Sequence, residues 1–175
     1  MLEIEIKVRV PDLESIRKRI TACGGVLTER LTEHDSYYNA PHRDFGITDE
    51  ALRLRQAGGK TVVTYKGPKS TILGSKVREE LNLDISDPKT FDKIITSLGF
   101  KLVAVVLKDR EYYQYQDYTI SLDKVEGLGD FVEIELITES NAELAASRID
   151  TTAKEMGVIG ERITSSYLEL LLSTR

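Results

Sequence analysis

From Leu2 to Val10 the chain alternates without a break: Leu2, Ile4, Ile6, Val8 and Val10 are apolar, and Glu3, Glu5, Lys7 and Arg9 are charged. A period of two puts these sets on opposite faces of one β-strand. The pattern returns down the chain. In 51–56, Leu52 and Leu54 face one way and Arg53 and Arg55 the other. After the hairpin signal Gly58-Gly59, the 62–66 strand carries Thr64 and Lys66 on one face. In 76–84, Lys76, Arg78, Glu80 and Asn82 alternate with Val77, Leu81 and Leu83, and Glu79 breaks the alternation. Lys108, Arg110 and Tyr112 are in step within 101–115, as are Thr119, Ser121 and Asp123 within 118–125. In 131–137, Phe131, Glu133 and Glu135 oppose Val132, Ile134 and Leu136. A longer strand, 26–39, contains Glu33, Asp35, Tyr37 and Tyr38.

A period near 3.6 marks the helices. Asp12 caps one running to about Cys23, with Leu13, Ile16 and Ile20 on a face and Gly24-Gly25 as its stop. A second starts at Pro88, bears Phe91, Ile94, Ile95 and Leu98, and ends at Gly99. A third spans 141–156, closed by Gly157, and a last apolar helix spans 163–172. Its Leu168, Leu170, Leu171 and Leu172 suit either core or a homodimer contact. Residues 45–49 read as irregular and 69–75 as a polar loop.

About eight strands joined by short turns, with amphipathic helices between them, predict an α+β fold in one domain over 1–175. The helices cover the apolar faces from outside, and the charged faces line the interior of an antiparallel barrel. The basic residues on those faces are Lys7, Arg53, Arg55, Lys66, Lys76, Arg78, Lys108 and Arg110; the acidic ones are Glu3, Glu5, Glu80, Asp123, Glu133 and Glu135. The competing reading is a solvated sheet face laced with weak ion pairs. An enclosed charged lumen must hold ion pairs or a ligand, because unpaired buried charge is costly. A metal polyphosphate uses both signs at once: Arg and Lys neutralise phosphate oxygens, and carboxylates hold Mg²⁺ or Mn²⁺. Carboxylates two apart on a strand share a face about 7 Å apart, so Glu3 with Glu5 and Glu133 with Glu135 present ligand oxygens from two strands.

Composition narrows the classes. The 175 residues are 41% hydrophobic, and 24 Lys and Arg stand against 29 Asp and Glu, a net charge of −5. That balance argues against broad nucleic-acid binding. No apolar run approaches a membrane span, and no signal segment is readable, so the expectation is a soluble cytoplasmic protein. The single Cys23 excludes an internal disulfide and a cysteine zinc site, and His34 and His42 alone are too few for a His-based metal site or a Ser-His-Asp arrangement. Gly127-Leu-Gly129 is a turn rather than a dinucleotide loop, and the segment Lys66 to Thr71 lacks phosphate-loop spacing.

Taken together the motifs resemble the CYTH superfamily, the triphosphate tunnel metalloenzymes. Glu3-Ile-Glu5-Ile-Lys7 matches the ExExK signature, and Asp35-Ser-Tyr37-Tyr38-Asn39, Arg53-Leu-Arg55, Lys66-Gly-Pro68, Arg78-Glu-Glu80, Lys108-Asp-Arg110, Asp123 to Gly129 and Glu133-Ile-Glu135 follow in the family's order. The resemblance covers Leu2 to about Leu136, with a Ser166-Tyr167 helix near the end, and is greatest to the class IV adenylyl cyclase branch. It implies an eight-stranded tunnel holding a triphosphate. By position it implies Mg²⁺ or Mn²⁺ on Glu3, Glu5, Glu133 and Glu135, with Asp123 beside them. Lys7, Arg53, Arg55, Lys66, Lys76, Arg78, Lys108 and Arg110 form the triphosphate cradle, and Lys7, Tyr37, Lys66 and Arg110 are the candidate catalytic set. Arg162 is a loose match near one mouth.

A tunnel fixes the triphosphate, not the nucleophile. In a cyclase the ribose 3′-hydroxyl of ATP attacks the α-phosphorus; in a triphosphatase acting on inorganic, thiamine or nucleoside triphosphate, water attacks the γ-phosphorus. A third reading is a non-catalytic polyphosphate or nucleotide sensor. The resemblance favours the cyclase.

Overall fold

The alternation that marks the strands also dictates how they curl, because one face of each must find apolar cover. The computed structural model describes residues 2–72, 75–138 and 141–174, without the side chains of 2–3, 71–72 and 75–77. In chain order the elements are β1 (Leu2–Arg9), α1 (Leu13–Ala22), β2 (Val26–Asn39), α2 (Phe45–Thr48), β3 (Ala51–Ala57), β4 (Lys60–Lys66), β5 (Ser70–Ile72), β6 (Ser75–Arg78), β7 (Glu80–Asp84), α3 (Pro88–Ser97), β8 (Lys101–Tyr115), β9 (Tyr118–Val125), β10 (Gly129–Thr138), α4 (Ala142–Glu155) and α5 (Tyr167–Ser173).

All strand pairs are antiparallel, in the order β5-β6-β1-β10-β9-β8-β2-β3-β4-β7. β6 and β7 are one strand interrupted at Glu79, where the Gly67 amide donates to the Glu79 carbonyl at 3.0 Å. β6 pairs with β1 and β7 with β4, so the strongly curled sheet brings its two ends onto a single stretch of chain. Counting that stretch once, and β5 as an appendage to β6, gives the eight strands expected.

The principal core lies outside the curl. Ile4, Ile6, Val8, Ile120, Leu122, Val132, Ile134 and Leu136 pack against Ile16 and Ile20 of α1, Ala145, Ala146, Ile149 and Ala153 of α4, and Met156, which caps α4. α3 covers Tyr38, Leu54 and Val63 with Ile95 and Phe91. A third cluster sits at one end of the inner face, where Tyr37, Ala51, Val106 and Phe131 meet Tyr167 and, partly buried, Leu168 and Leu171. α5 thus stops a mouth of the curl, while α1, α3 and α4 lie outside it.

Three expectations change. Residues 45–48 form the short helix α2, because the Asp44 carboxylate accepts from the Gly46 amide at 2.9 Å and Asp49 ends the turn at φ 56°. Part of the predicted polar loop is β5. The last helix starts at Tyr167, not Ile163: Arg162 bridges to Val8 and the Ile163 amide donates to the Lys7 carbonyl at 2.8 Å, so that segment extends the sheet. A Ser166–Glu169 capping box then opens α5.

Ile149 is fully buried between α4 and the outer sheet face. Ile149→Ala should lower folding stability by about 2–5 kcal/mol, read as a lower urea midpoint with an unchanged slope.

Candidate functional site: the charged interior

Register decides which charges meet. Glu5 lies directly opposite Glu135, and Lys7 opposite Glu133. Arg53 lies opposite Tyr37 and Thr64, Lys66 opposite Glu80, and Arg110 opposite Asp123. These inward faces enclose a cavity of about 280 Å³ lined by Lys7, Arg53, Arg55, Lys66, Arg78, Lys108 and Arg110, with Glu5, Glu80, Glu133 and Glu135 among its acids and Tyr37 and Tyr112 in its wall. A second cavity, about 390 Å³, opens at the far end between Leu31, Ala57, Lys60, Val62, Gln114 and Thr119. Arg55 and Tyr112 border both cavities.

Two buried ion-pair sets hold the cations in place. In the first, Arg55 makes two hydrogen bonds of 2.7 Å to the Asp35 carboxylate and a 2.7 Å ion pair to Glu33, and Lys108 Nζ stands 2.9 Å from Glu33. The Tyr112 hydroxyl donates to Glu33 at 2.5 Å. Glu33 and Asp35 are each 1% exposed. Burial pushes both carboxyls upward, but the surrounding Lys108 and arginines outweigh it and hold them below the ordinary range. The Lys108 ammonium is pushed down by burial and by Arg110.

In the second set, Arg110 joins Asp123 to Glu133, and the Tyr167 hydroxyl donates to Asp123 at 2.6 Å. Burial disfavours the Arg110 charge, yet Asp123 and Glu133 raise its pKa well above the usual value. Lys7 Nζ donates to the Ser165 carbonyl at 3.1 Å, lies 3.4 Å from Glu133 and sits 4.1 Å over the Tyr167 ring. Toward the other wall, Lys66 pairs with Glu80, and Arg78 donates to the Gly67 and Asp49 carbonyls. Arg53 donates to Thr64 at 3.1 Å, but its Nε is buried without a hydrogen-bond partner among the described residues. Such a donor suits a ligand oxygen. Tyr37 has its pKa raised to about 12 by burial and by Asp35, so its hydroxyl stays protonated.

The acid cluster fits a hard divalent cation. Its donors are carboxylate oxygens, and like charges directly opposite one another across strands repel. Burial, then Glu5 and Glu133, push the Glu135 carboxyl up to about 7, a load that a bound cation would relieve. Among the described residues the carboxylates do not yet converge on a point, since Glu133 is turned to Lys7 and Arg110.

The structure therefore brings together Glu5, Lys7, Tyr37, Arg53, Arg55, Lys66, Arg78, Lys108, Arg110, Glu133 and Glu135. Asp123 lies behind the cavity wall, fully buried and engaged by Arg110 and Tyr167, so it orients Arg110. The side chains of Glu3 and Lys76 lie outside the described set, although their backbones pair with Arg78 and Glu5 respectively. Arg162 pairs with Asp150 away from the cavity. Sequence reasoning passed over Glu33 and Asp35 as site residues; their spacing of two with Tyr37 was the available signal. Alternation gives no such signal for Tyr167, whose helix reaches the site through tertiary packing; the resemblance includes a Ser166-Tyr167 helix near the end.

The Glu135 shift has a measurable sign. Its folded pKa near 7 lies above the unfolded value of 4.5, so folding favours the protonated form, and stability falls as pH rises from 4.5 through 7. Glu135→Gln should therefore stabilise the metal-free protein at pH 8 by on the order of 2–3 kcal/mol and change little at pH 4.5. Denaturant titrations at both pH values measure this, and an equal effect at both would contradict the assignment.

Comparison with known proteins agrees with this geometry. The CYTH domain family matches residues 1–167. A Methanocaldococcus jannaschii protein provisionally named an adenylate cyclase is 42% identical over 135 residues, covering 77% of each chain. Adenylate cyclase CyaB of Aeromonas hydrophila is 26% identical over 96% of this chain and 87% of its own. The solved structure of Pyrococcus horikoshii PH1819 superposes with a TM-score of 0.90 at 36% identity, over 99% of both chains. The strand order, the inward charges and these similarities have one explanation: the chain belongs to the CYTH family.

Proposed function

We propose that the protein is a metal-dependent enzyme that binds a triphosphate in its curled sheet and converts ATP to cyclic AMP and pyrophosphate. The observation that carries this reading is the convergence of Lys7, Arg53, Arg55, Lys66, Arg78, Lys108 and Arg110 with Glu5, Glu133 and Glu135 on one cavity. CYTH proteins bind triphosphates, and two relatives bear cyclase names.

In this reading the cations neutralise phosphate oxygens along the cavity, and the orphan Nε of Arg53 gains an acceptor. Glu5, Glu133 and Glu135 would hold Mg²⁺ or Mn²⁺, which supplies charge neutralisation at the phosphates. Glu33, Asp35 and Asp123 are positioning residues: they fix Arg55, Lys108 and Arg110 before substrate arrives, so little reorganisation remains for the reaction. Tyr37, protonated, donates a hydrogen bond. Lys7, Lys66 and Arg110 stabilise charge at the reacting phosphates. The ribose 3′-oxygen bonds to the α-phosphorus as the bond to the β-bridging oxygen breaks; pyrophosphate leaves, and the hydroxyl proton passes to water.

A second reading, hydrolysis of a triphosphate at the γ-phosphorus, draws on the far cavity, which shares Arg55 and Tyr112 with the charged cavity and places solvent space beside that end of the cradle. Product analysis separates the two. Incubation of ATP, tripolyphosphate and thiamine triphosphate with Mg²⁺ or Mn²⁺ should yield cyclic AMP with pyrophosphate from ATP. Orthophosphate without cyclic AMP would transfer the assignment to a triphosphatase, and metal-dependent ATP binding without turnover would make the protein a sensor.

Two variants probe the parts. Glu133→Gln or Glu135→Gln should lower kcat/KM by about a hundredfold or more with the fold intact; wild-type activity across metal concentration would refute their metal role. Arg53→Ala should weaken triphosphate binding by about 2 kcal/mol and diphosphate binding less, measured by calorimetry. Equal losses for both would argue against a cradle spread along the tunnel.

A further inference from the structure

We infer that the protein forms a two-fold dimer in which the open edge of β7 pairs antiparallel with the same edge of a second copy, with Leu83 on the axis.

The side that β6 gives to β1 stays open along β7: among the described residues β7 pairs with β4 alone. The Gly67 amide donates to the Glu79 carbonyl and the Ile85 amide to the Thr61 carbonyl, both at 3.0 Å. In an antiparallel ladder the backbone groups of successive residues turn to opposite neighbours. Leu81, Leu83 and Ile85, in step with Glu79, therefore direct their N–H and C=O to β4, and Asn82 and Asp84 direct theirs to the open edge. An edge of this kind is a ready template for another strand.

The outer face beside this edge is apolar. Leu83 lies opposite Val63, whose side chain α3 covers with Ile95. Leu81 and Leu83 share that face, yet they are 58% and 64% exposed. On one flank of α3, Asp92 accepts from the Tyr38 hydroxyl of β2 at 2.7 Å. Ile94, about 160° round the helix, thus lies on the flank toward β4 and β7, and it is 53% exposed. An apolar patch along an unpaired edge marks an interaction surface.

What selects a second copy is that this edge is its own complement. Residues 81–85 read Leu-Asn-Leu-Asp-Ile. A two-fold axis at Leu83 sets Leu81 opposite Ile85 and Asn82 opposite Asp84, twice over. The outer row is then wholly apolar. On the inner row, Thr64 Oγ1 donates to Asn82 Oδ1 at 2.7 Å, which leaves the Asn82 amide hydrogens without an acceptor among the described residues. They meet the Asp84 carboxylate of the second copy. Asn82 and Asp84 also carry the edge-facing backbone groups, so each such pair exchanges two backbone hydrogen bonds. An axis at Asn82 instead sets Glu80 against Asp84, like charges opposite one another. The leucines of α5 offer a poorer contact, because Leu168, Leu170 and Leu171 already pack on the inner cluster.

Sedimentation velocity of wild type, Leu83→Lys, Asp84→Pro and Leu83→Ile tests the pairing, with circular dichroism reporting the fold of each. Proline at 84 removes a donor from the open edge and leaves the ladder to β4 complete. Wild type should sediment with twice the 19.7 kDa mass of the chain. Leu83→Lys sets two ammonium groups face to face; it and Asp84→Pro should each raise the dimer dissociation constant about thirtyfold or more. Leu83→Ile should remain dimeric. A monomeric wild type, or a dimer that both disruptive variants leave intact, would overturn the inference. So would loss of the dimer in one folded variant and not the other, because the pairing needs both the edge donors and the apolar row. If Leu83→Lys does not fold, Asp84→Pro decides alone. None of these readouts depends on the reaction assigned above.

Discussion

Everything in this molecule depends on solving the cost of charge inside a curled sheet. Glu33 and Asp35 are almost completely buried, and so are Lys108 and Arg110. None could remain ionised there alone. They persist because Arg55 binds Asp35 with two hydrogen bonds and Glu33 from the side, Lys108 meets Glu33, and Arg110 is held between Asp123 and Glu133. Replacing such pairs by apolar side chains is often neutral or stabilising in other proteins. A chain that keeps so many of them gains preorganisation: cations aimed at one cavity before any polyanion enters.

The same constraint explains the division of labour between the faces. An interior filled with ions contributes little hydrophobic burial, so the core is built on the outer face, where α1 and α4 cover β1, β9 and β10 and α3 covers β3 and β4. One end of the interior is apolar, and there α5 brings Tyr167 onto Phe131 at 5.0 Å in edge-on contact. Tyr167 joins the two worlds. Its ring closes the apolar cluster and underlies the Lys7 ammonium, and its hydroxyl reaches Asp123.

Much of this was legible from alternation alone. The strands 26–39, 101–115 and 118–125 are recovered residue for residue, because alternation marks a half-buried strand over most of its length. Parity also placed Lys7, Arg53, Arg55, Lys108 and Arg110 on the inner face. It serves less well at the ends of β2, where pairing shifts register between Leu27 and Glu29 and between Tyr37 and Tyr38; between those shifts Glu33, Asp35 and Tyr37 keep one parity. The short helix α2 and the paired segment at Arg162 and Ile163 rest on a cap and on backbone bonds to a distant strand, and neither leaves a periodic trace. Asp123 shares the inner-face parity, and the resemblance sets it beside the metal-site acids; in the structure both its oxygens are engaged by Arg110 and Tyr167.

The most direct test of the central claim is a crystal structure of the protein with Mn²⁺ and a non-reactive ATP analogue, using the anomalous signal to place the metal. The account predicts manganese bound by oxygens of Glu5, Glu133 and Glu135, with the three phosphates between Arg53, Lys66 and Lys108. Phosphates outside the curled sheet, or manganese on acids elsewhere, would contradict it.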